Sequence, residues 1–216
     1  MPESLATPAE VRELDSGYSK ETQALLFQAY RDDSAFAYLF NSRRAGFDQR
    51  VRATIKALVK QHFLQDLPAI GLFMDDRLVA VALVAPPQRR LGITESWAWR
   101  LQMVLTAGFN CTRRYLEYHN AVMACLPTES VHVLPLMAVH KVFQSEALEE
   151  QLFAEIHAWC GQDAASHGVV LDTSSRRDPT FFERQGYQEI GEIDVGPVRE
   201  RVFFYPNPQV SLGLAL

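Results

Sequence analysis

Two side chains next to a predicted buried strand could take a proton from a substrate. His132 lies within the apolar stretch 130–139, and Glu129 stands at its head. An imidazole with a pKa close to neutral suits a general base, so His132 is the first candidate for a catalytic base and Glu129 is the second. A histidine packed in the core is the alternative interpretation of His132. The elements around this strand must decide between the two roles.

The other histidines and the cysteines do not form a metal-binding pattern. The three cysteines are widely spaced, and no histidine stands at ligand spacing from another. We therefore predict no metal site, and free thiols in a reducing compartment such as the cytoplasm. The residues concerned are Cys111, Cys125, Cys160, His62, His140, His157 and His167.

The composition limits the class of protein. With 216 residues, of which 48% are hydrophobic, the chain can bury one sizeable core, so we predict a single domain over residues 1–216. The formal net charge of −5 disfavours nucleic acid as a partner. The N-terminal residues lack a basic region followed by an apolar run, and the apolar stretches are only as long as strands. We therefore predict neither a signal peptide nor a membrane span, and a cytoplasmic location.

The hydrophobic spacing predicts a mixture of helices and strands. The clearest feature is a hairpin of strands 69–74 and 78–85, joined by a two-residue turn. A long amphipathic helix is predicted over 146–166 and a short helix over 179–185. The other predicted elements are strands at 11–14, 130–139, 168–173, 187–193 and 198–205, helices at 19–31 and 48–65, and a mainly helical region at 94–125.

The stretch from Leu171 to Tyr187, which reads LDTSSRRDPTFFERQGY, resembles the strand, short helix and next strand of the GNAT N-acetyltransferases. The strand over 131–139, which runs directly into a helix, and the helical insert at about 90–126 are similar to the puromycin N-acetyltransferase branch of that family. The resemblance implies one GNAT domain of the α/β (α+β) class. Its mixed, mostly antiparallel sheet of six or seven strands would be flanked by helices, with the insert before the cofactor strand.

In the family that the sequence resembles, acetyl-CoA lies between two strands that splay apart. The resemblance implies that the backbone of Met137, Ala138 and Val139 faces the thioester and pantetheine arm of acetyl-CoA, or of another acyl-CoA. Pro135 lies just upstream, and because proline removes a ladder donor it indicates disturbed pairing there. The resemblance therefore implies a gap beside this strand, and a plain irregularity of a sheet edge is the alternative interpretation of Pro135.

The family's pyrophosphate loop has a Q/R-x-x-G-x-G/A pattern at the start of the long helix, because glycines let backbone N–H groups approach the phosphates. Gln144 fits the first position, but the glycine positions hold Ser145, Ala147 and Glu149. Ser145 suits an ordinary N-cap, and acidic residues add negative charge to the helix start. The residues implied at this degenerate site are Gln144, Ser145, Glu146, Ala147, Leu148 and Glu149.

Two further positions bear on catalysis. The tyrosine that the family often uses as the acid for the leaving thiolate corresponds to Phe182, and the family asparagine corresponds to Asp178. A phenyl ring cannot donate a proton, so water or another side chain would have to serve. The insert residues that could line an acceptor pocket are Glu95, Tyr115, Tyr118 and His119. Helix packing is the alternative role for both tyrosines.

These observations lead to two hypotheses for function. The first is an N-acyltransferase that moves an acetyl or other acyl group from acetyl-CoA to a primary amine of a small molecule, without a metal. The second is a non-catalytic relic of the fold that serves as a ligand-binding or protein-interaction module, since the loop glycines and the tyrosine are missing. The sequence favours the enzyme. It leaves the acceptor and the oligomeric state open, a homodimer included.

Overall fold

A computed structural model of the chain describes residues 9–87, 97–174 and 179–211. Helices and strands are mixed along these residues. The strands are β1 (Glu10–Glu13), β2 (Ala69–Met74), β3 (Arg77–Ala85), β4 (His132–Val139), β5 (Gly168–Ser174), β6 (Gln188–Val195) and β7 (Val198–Pro206). The α-helices are α1 (Ser19–Tyr30), α2 (Ser34–Leu39), α3 (Phe47–Leu64), α4 (Trp97–Ala107), α5 (Phe109–Ala124), α6 (Glu146–Gly161), α7 (Pro179–Arg184) and α8 (Pro208–Ser211). A short 3-10 helix, Ser16–Tyr18, precedes α1.

The strands of the described residues form one sheet in the order β1-β2-β3-β4-β5-β7-β6. Neighbouring strands are antiparallel except β4 and β5, which run parallel. The helix α6 connects these two strands, as a parallel pair requires. The predicted α/β class, with a mixed and mostly antiparallel sheet flanked by helices, is therefore confirmed.

Apolar side chains cover both faces of the sheet. Helices α1 to α5 pack on one face, against residues such as Val133 and Val170. Helices α6 and α7 pack on the other face, against residues such as Leu134 and Leu171. Because successive side chains of a strand point to opposite faces, β4 and β5 contribute to both layers. This double burial explains why their sequences are almost continuously apolar.

The strands β4 and β5 diverge after a short contact. Only two residue pairs join them in the described chain, His132 with Val169 and Val133 with Val170. The register between β3 and β4 also shifts in the part of β4 that contains Pro135. Proline has no N–H group for the ladder, so a bulge and a loss of pairing are expected there. The predicted disturbance at Pro135 is observed, and it opens a gap inside the sheet.

Some element boundaries differ from the predictions. Helix α6 ends at Gly161 instead of continuing to residue 166, because the chain turns where the Ser166 N–H donates to the carbonyl of Asp163. Helix α2 lies between the predicted helices 19–31 and 48–65, and Asp33 caps it by accepting a hydrogen bond from the Phe36 N–H at 2.8 Å. Helix α8 follows β7, after the last predicted strand at 198–205.

The first residue of β5 is pressed against β7. Gly168 has a φ of +153°, and a Cβ atom at this position would lie 2.0 Å from the carbonyl oxygen of Tyr205. No side chain fits at that distance, so glycine is required for the close approach of the two strands. Gly168 directly precedes the two residues of β5 that pair with β4.

No helix in the described ranges is long and apolar enough to cross a lipid bilayer.

Candidate active site

The gap between β4 and β5 opens into a cavity of about 360 Å³. Its walls include Leu134 and Leu171, from the layer under α6 and α7, and Tyr30 and Tyr115, from the layer under α1 to α5. The cavity therefore connects the two faces of the sheet through the point where the strands diverge. A volume near the lower end of the range for ligand pockets, about 300–1,000 Å³, suits a small molecule.

One wall of the cavity carries a buried carboxyl group, and one of its oxygen atoms lacks a hydrogen-bond partner among the described residues. Glu200 on β7 is only 3% exposed, and its Oε1 atom has no hydrogen-bond partner among the described residues. Burial raises the pKa of Glu200 to about 9, and repulsion from Asp172 and Asp33 contributes to the same increase. In the empty cavity Glu200 therefore keeps its proton at neutral pH.

A second carboxyl group lies beside it on the neighbouring strand. Asp172 on β5 accepts a hydrogen bond from the Tyr118 hydroxyl of α5. Burial raises the pKa of Asp172 to about 6, although the hydrogen bond from Tyr118 opposes this change. Asp33, at the start of α2, also lines the cavity and adds negative charge. The cavity thus gathers carboxyl groups from β5, β7 and the α1–α2 turn.

Aromatic side chains form the opposite wall. Tyr30 and Phe36 contact each other with ring centroids 4.5 Å apart, and both line the cavity with Tyr115 and Tyr118. Burial raises the pKa of each of the three tyrosines, so they remain neutral hydroxyl groups. The Tyr30 hydroxyl accepts a hydrogen bond from the Met137 N–H at 3.3 Å. This contact ties α1 to the diverging part of β4.

The insert residues proposed for an acceptor pocket are near this cavity. Tyr115 and Tyr118 line the main cavity, and His119 lines a smaller adjoining cavity of about 50 Å³ that also borders Asp172. Burial lowers the pKa of His119, so its imidazole is neutral at physiological pH. Glu95 lies outside the described residues.

A further cavity of about 210 Å³ runs along the end of β4. It shares Ala29 and Met137 with the main cavity. Five of the residues predicted to face acyl-CoA line it: Met137, Ala138, Val139, Gln144 and Glu149. The structure therefore brings the strand residues and part of the degenerate loop to one surface, next to the carboxyl-lined cavity.

The start of α6 makes its own contacts instead of leaving an open anion site. The Ser145 hydroxyl accepts a hydrogen bond from the Leu148 N–H at 3.3 Å. Glu146 pairs with Arg184 of α7. Glu149 is 9% exposed, lines the cavity along β4 and accepts a hydrogen bond from Gln144 at 3.0 Å. A phosphate at this position would meet the Glu149 carboxylate.

Two other predicted loop positions turn away from this cavity. The side chain of Ala147 is exposed, and Leu148 packs in the core layer under α6. No described residue of the loop over 140–145 has a positive φ. The loop backbone therefore does not need glycine for its conformation, and the missing glycines matter only for how closely a ligand can approach.

Phe182 of α7 lies at the cavity wall within an aromatic cluster. Its ring is 1% exposed, stacks on Phe203 at 4.7 Å and contacts Phe153 edge-on at 5.9 Å. The ring lines the gap between β4 and β5 but carries no hydroxyl group. Asp178, the other position implied by the resemblance, falls outside the described residues.

The two predicted bases are not in the cavity wall. His132 is 1% exposed, and its Nδ1 atom lies 2.7 Å from the Ser166 hydroxyl. Its ring also contacts Trp159 of α6 edge-on, and burial lowers its pKa. Glu129 is exposed in the loop before β4. The core-packing alternative therefore describes the surroundings of His132 in the fold.

Sequence reasoning did not select Asp172 and Glu200 as functional residues. Asp172 could have been selected, because it is the one charged residue of the apolar strand β5. Glu200 stands between Arg199 and Arg201, and it shares the buried face of β7 with Val202. A carboxyl group at an inward position of a strand is the signal that could have identified both residues.

No protein-family profile matches the sequence, and no curated protein matches it. Solved structures do match the fold. A Corynebacterium glutamicum protein described as histone acetyltransferase HPA2 and related acetyltransferase is 14% identical, with a TM-score of 0.65 over 93% of this chain and 97% of the other. A variant of agmatine N-acetyltransferase is 17% identical, with a TM-score of 0.62 over 93% and 100%. The polyamine N-acetyltransferase of Drosophila melanogaster is 17% identical, with a TM-score of 0.55 over 90% and 97%. The chain thus has the fold of the GNAT acyl-CoA N-acyltransferases.

Proposed function

We propose that the chain is an N-acyltransferase that moves an acetyl or other acyl group from acyl-CoA to a primary amine of a small molecule. The observation that supports this most directly is the adjacency of two cavities. The cavity along Met137 to Val139 would take the acyl-CoA arm, and it meets the carboxyl-lined cavity at Ala29 and Met137. Two structures of similar fold are named for amine substrates, agmatine and polyamine.

The residues of the second cavity can prepare an amine for attack. A primary amine is an ammonium ion at neutral pH and must lose one proton before its nitrogen is nucleophilic. Glu200 holds a proton of its own before the amine binds, because burial raises its pKa to about 9. The positive charge of the bound ammonium favours release of that proton, and the resulting carboxylate can then take one proton from the ammonium. When bound, acyl-CoA supplies an activated acyl carbon whose bond to sulfur is exchanged for a bond to nitrogen. The nitrogen would then lose a second proton, the leaving thiolate would take up a proton to become the CoA thiol, and the proton on Glu200 would return to solvent.

Calorimetric titration tests the proposal. We expect acetyl-CoA and CoA to bind with dissociation constants below about 1 mM, and acetyl transfer to at least one primary amine. Binding of neither ligand at millimolar concentration would exclude the acyltransferase function. Binding without transfer to a broad panel of amines would instead support the non-catalytic alternative. Two observations favour that alternative: the phenyl ring of Phe182 and the carboxylate of Glu149.

Glu149 offers a prediction about the acyl-CoA site. Replacement Glu149→Gln is expected to tighten the binding of CoA about three- to tenfold, because it removes roughly 1 kcal/mol of repulsion from a nearby phosphate. The matched control is Glu150→Gln, since Glu150 is exposed at the same helix start and does not line the cavity. Equal effects of the two substitutions in calorimetry would show that the phosphates lie away from Glu149.

A further inference from the structure

We propose that the cavity between β4 and β5 binds a short, flexible dication: an amine whose second cationic group is separated from the first by a few methylene groups. This inference names the substrate class for the proposed function. It depends on the proposed function only for the chemistry of acyl transfer. The binding site itself is argued from Glu200, Asp172 and the wall around them.

Glu200 points to a cationic ligand. Its side chain is 3% exposed, and the unpartnered Oε1 atom belongs to a residue that lines the cavity. A buried acceptor without a donor costs about 1–3 kcal/mol, and more when it is charged. Native proteins leave few such groups, and a ligand that donates a hydrogen bond removes the cost. An ammonium group donates hydrogen bonds and also carries the charge that a carboxylate attracts.

The other charged groups that the structure describes in the cavity wall have the same sign. Asp172 lies on the neighbouring strand, and Asp33 faces the cavity from the start of α2. The described residues of the cavity wall include no lysine, arginine or histidine. One monovalent cation would pair with Glu200 and leave Asp172 without a cationic partner among the described residues of the wall. Two cationic groups on one ligand match the carboxyl groups that the cavity presents.

The aromatic and apolar walls suit the part of the ligand between the charges. Tyr30, Phe36, Tyr115 and Tyr118 border the carboxyl groups, and Leu136 adds an aliphatic surface. Aromatic faces attract cations, and apolar side chains cover methylene groups. The volume of about 360 Å³ accepts a molecule of this size.

The number of protons released on binding is a measurable quantity that distinguishes a cationic ligand from a neutral one. Facing Glu200 are Asp172, Asp33 and neutral tyrosines from α1 and α5, including Tyr30 and Tyr118. Its pKa of about 9 means that the empty site holds a proton at about pH 7.5. When a dication binds, either Glu200 or the amine must release a proton. Binding should therefore release about one proton to the buffer.

The experiment is a calorimetric titration without acyl-CoA, in buffers of different ionisation enthalpy. The probes are putrescine, the aminobutanol of equal chain length and γ-aminobutyrate. We expect putrescine to bind roughly tenfold or more tightly than aminobutanol, with release of about one proton, and γ-aminobutyrate to bind most weakly. Equal binding of putrescine and aminobutanol, or no binding of putrescine, would overturn the inference. This series uses the unmodified chain and needs no variant.

Variants then locate the site. Glu200→Gln is expected to weaken putrescine binding roughly tenfold and to abolish the proton release. The control Glu192→Gln removes an exposed carboxylate of the same sheet and should change neither quantity. Unchanged putrescine binding in Glu200→Gln would overturn the inference. Because acyl-CoA is absent, dication binding that depends on Glu200 would stand even if no acyl transfer occurs. Acyl transfer to amines that lack a second charged group, with a rate that Glu200→Gln does not change, would support the proposed function. The same result would exclude a dication as the substrate class.

Discussion

The Glu200→Gln variant is expected to be more stable than the natural sequence at pH 8, by roughly 2–3 kcal/mol, and to have nearly the same stability at pH 4.5. The pKa of Glu200 rises from an ordinary value of 4.5 to about 9 on folding. Below pH 4.5 both states hold the proton, so the residue has no effect. As the pH rises towards 9, the unfolded chain releases the proton and the folded chain keeps it, which favours unfolding. Glutamine removes this pH-dependent cost.

The measurement is thermal or urea unfolding of both chains across this pH range. For a chain of this size, the expected rise in Tm at pH 8 is roughly 4–10 °C. The control is Glu192→Gln, because Glu192 is exposed and paired with Arg199; it should leave the stability unchanged or slightly lower at both pH values. A gain that is equal at pH 4.5 and pH 8 would mean that Glu200 is ionised in the folded chain.

Replacement Gly168→Ala is expected to destabilise the fold by about 3–4 kcal/mol, a loss of roughly 6–16 °C in Tm. The new methyl group would lie 2.0 Å from the Tyr205 carbonyl oxygen and 2.6 Å from the Phe204 ring. A backbone atom cannot move aside as a side chain can, so β5 and β7 must separate. Since these strands pair along their whole length, the strain reaches the cavity wall at Asp172.

The chain offers a matched control for this substitution. Gly161, at the end of α6, has no neighbouring atom within 4 Å of the point that an added methyl group would occupy. Gly161→Ala should therefore be neutral or stabilising by up to about 1 kcal/mol, because alanine favours helix. Unfolding curves of the two variants compare the same chemical change in two surroundings. Similar stabilities would show that β5 and β7 do not approach closely at Gly168.

The sheet was predictable from the sequence because its signals are local. Two apolar runs with turn residues between them define the hairpin of β2 and β3, and the apolar run before α6 defines β4. Helix α2 was not predicted, because six residues are too few for a periodic pattern and its main signal is the capping side chain of Asp33. The end of α6 was misplaced because apolar spacing does not report the turn at Asp163 to Ser166.

The candidate site was predictable only in part. The place of Met137 to Val139 beside a cavity could be predicted, because that prediction depends only on the order of the elements and on Pro135. The place of Glu200 could not, because its burial depends on helices distant in the sequence, such as α2, which meets β7 only in the folded chain. His132 drew attention because a free imidazole titrates near neutral pH, whereas Ser166 and Trp159 surround it in the fold.

The divergence of β4 and β5 places two strand edges inside the sheet. An exposed edge is normally a liability, because it can recruit a strand from another molecule and start aggregation. Here the two pairs at His132 and Val133 close one end of the gap, and helices on both faces cover the rest. The backbone groups along these edges are thus protected from a second protein chain. An open edge and a low tendency to aggregate can therefore coexist in one fold.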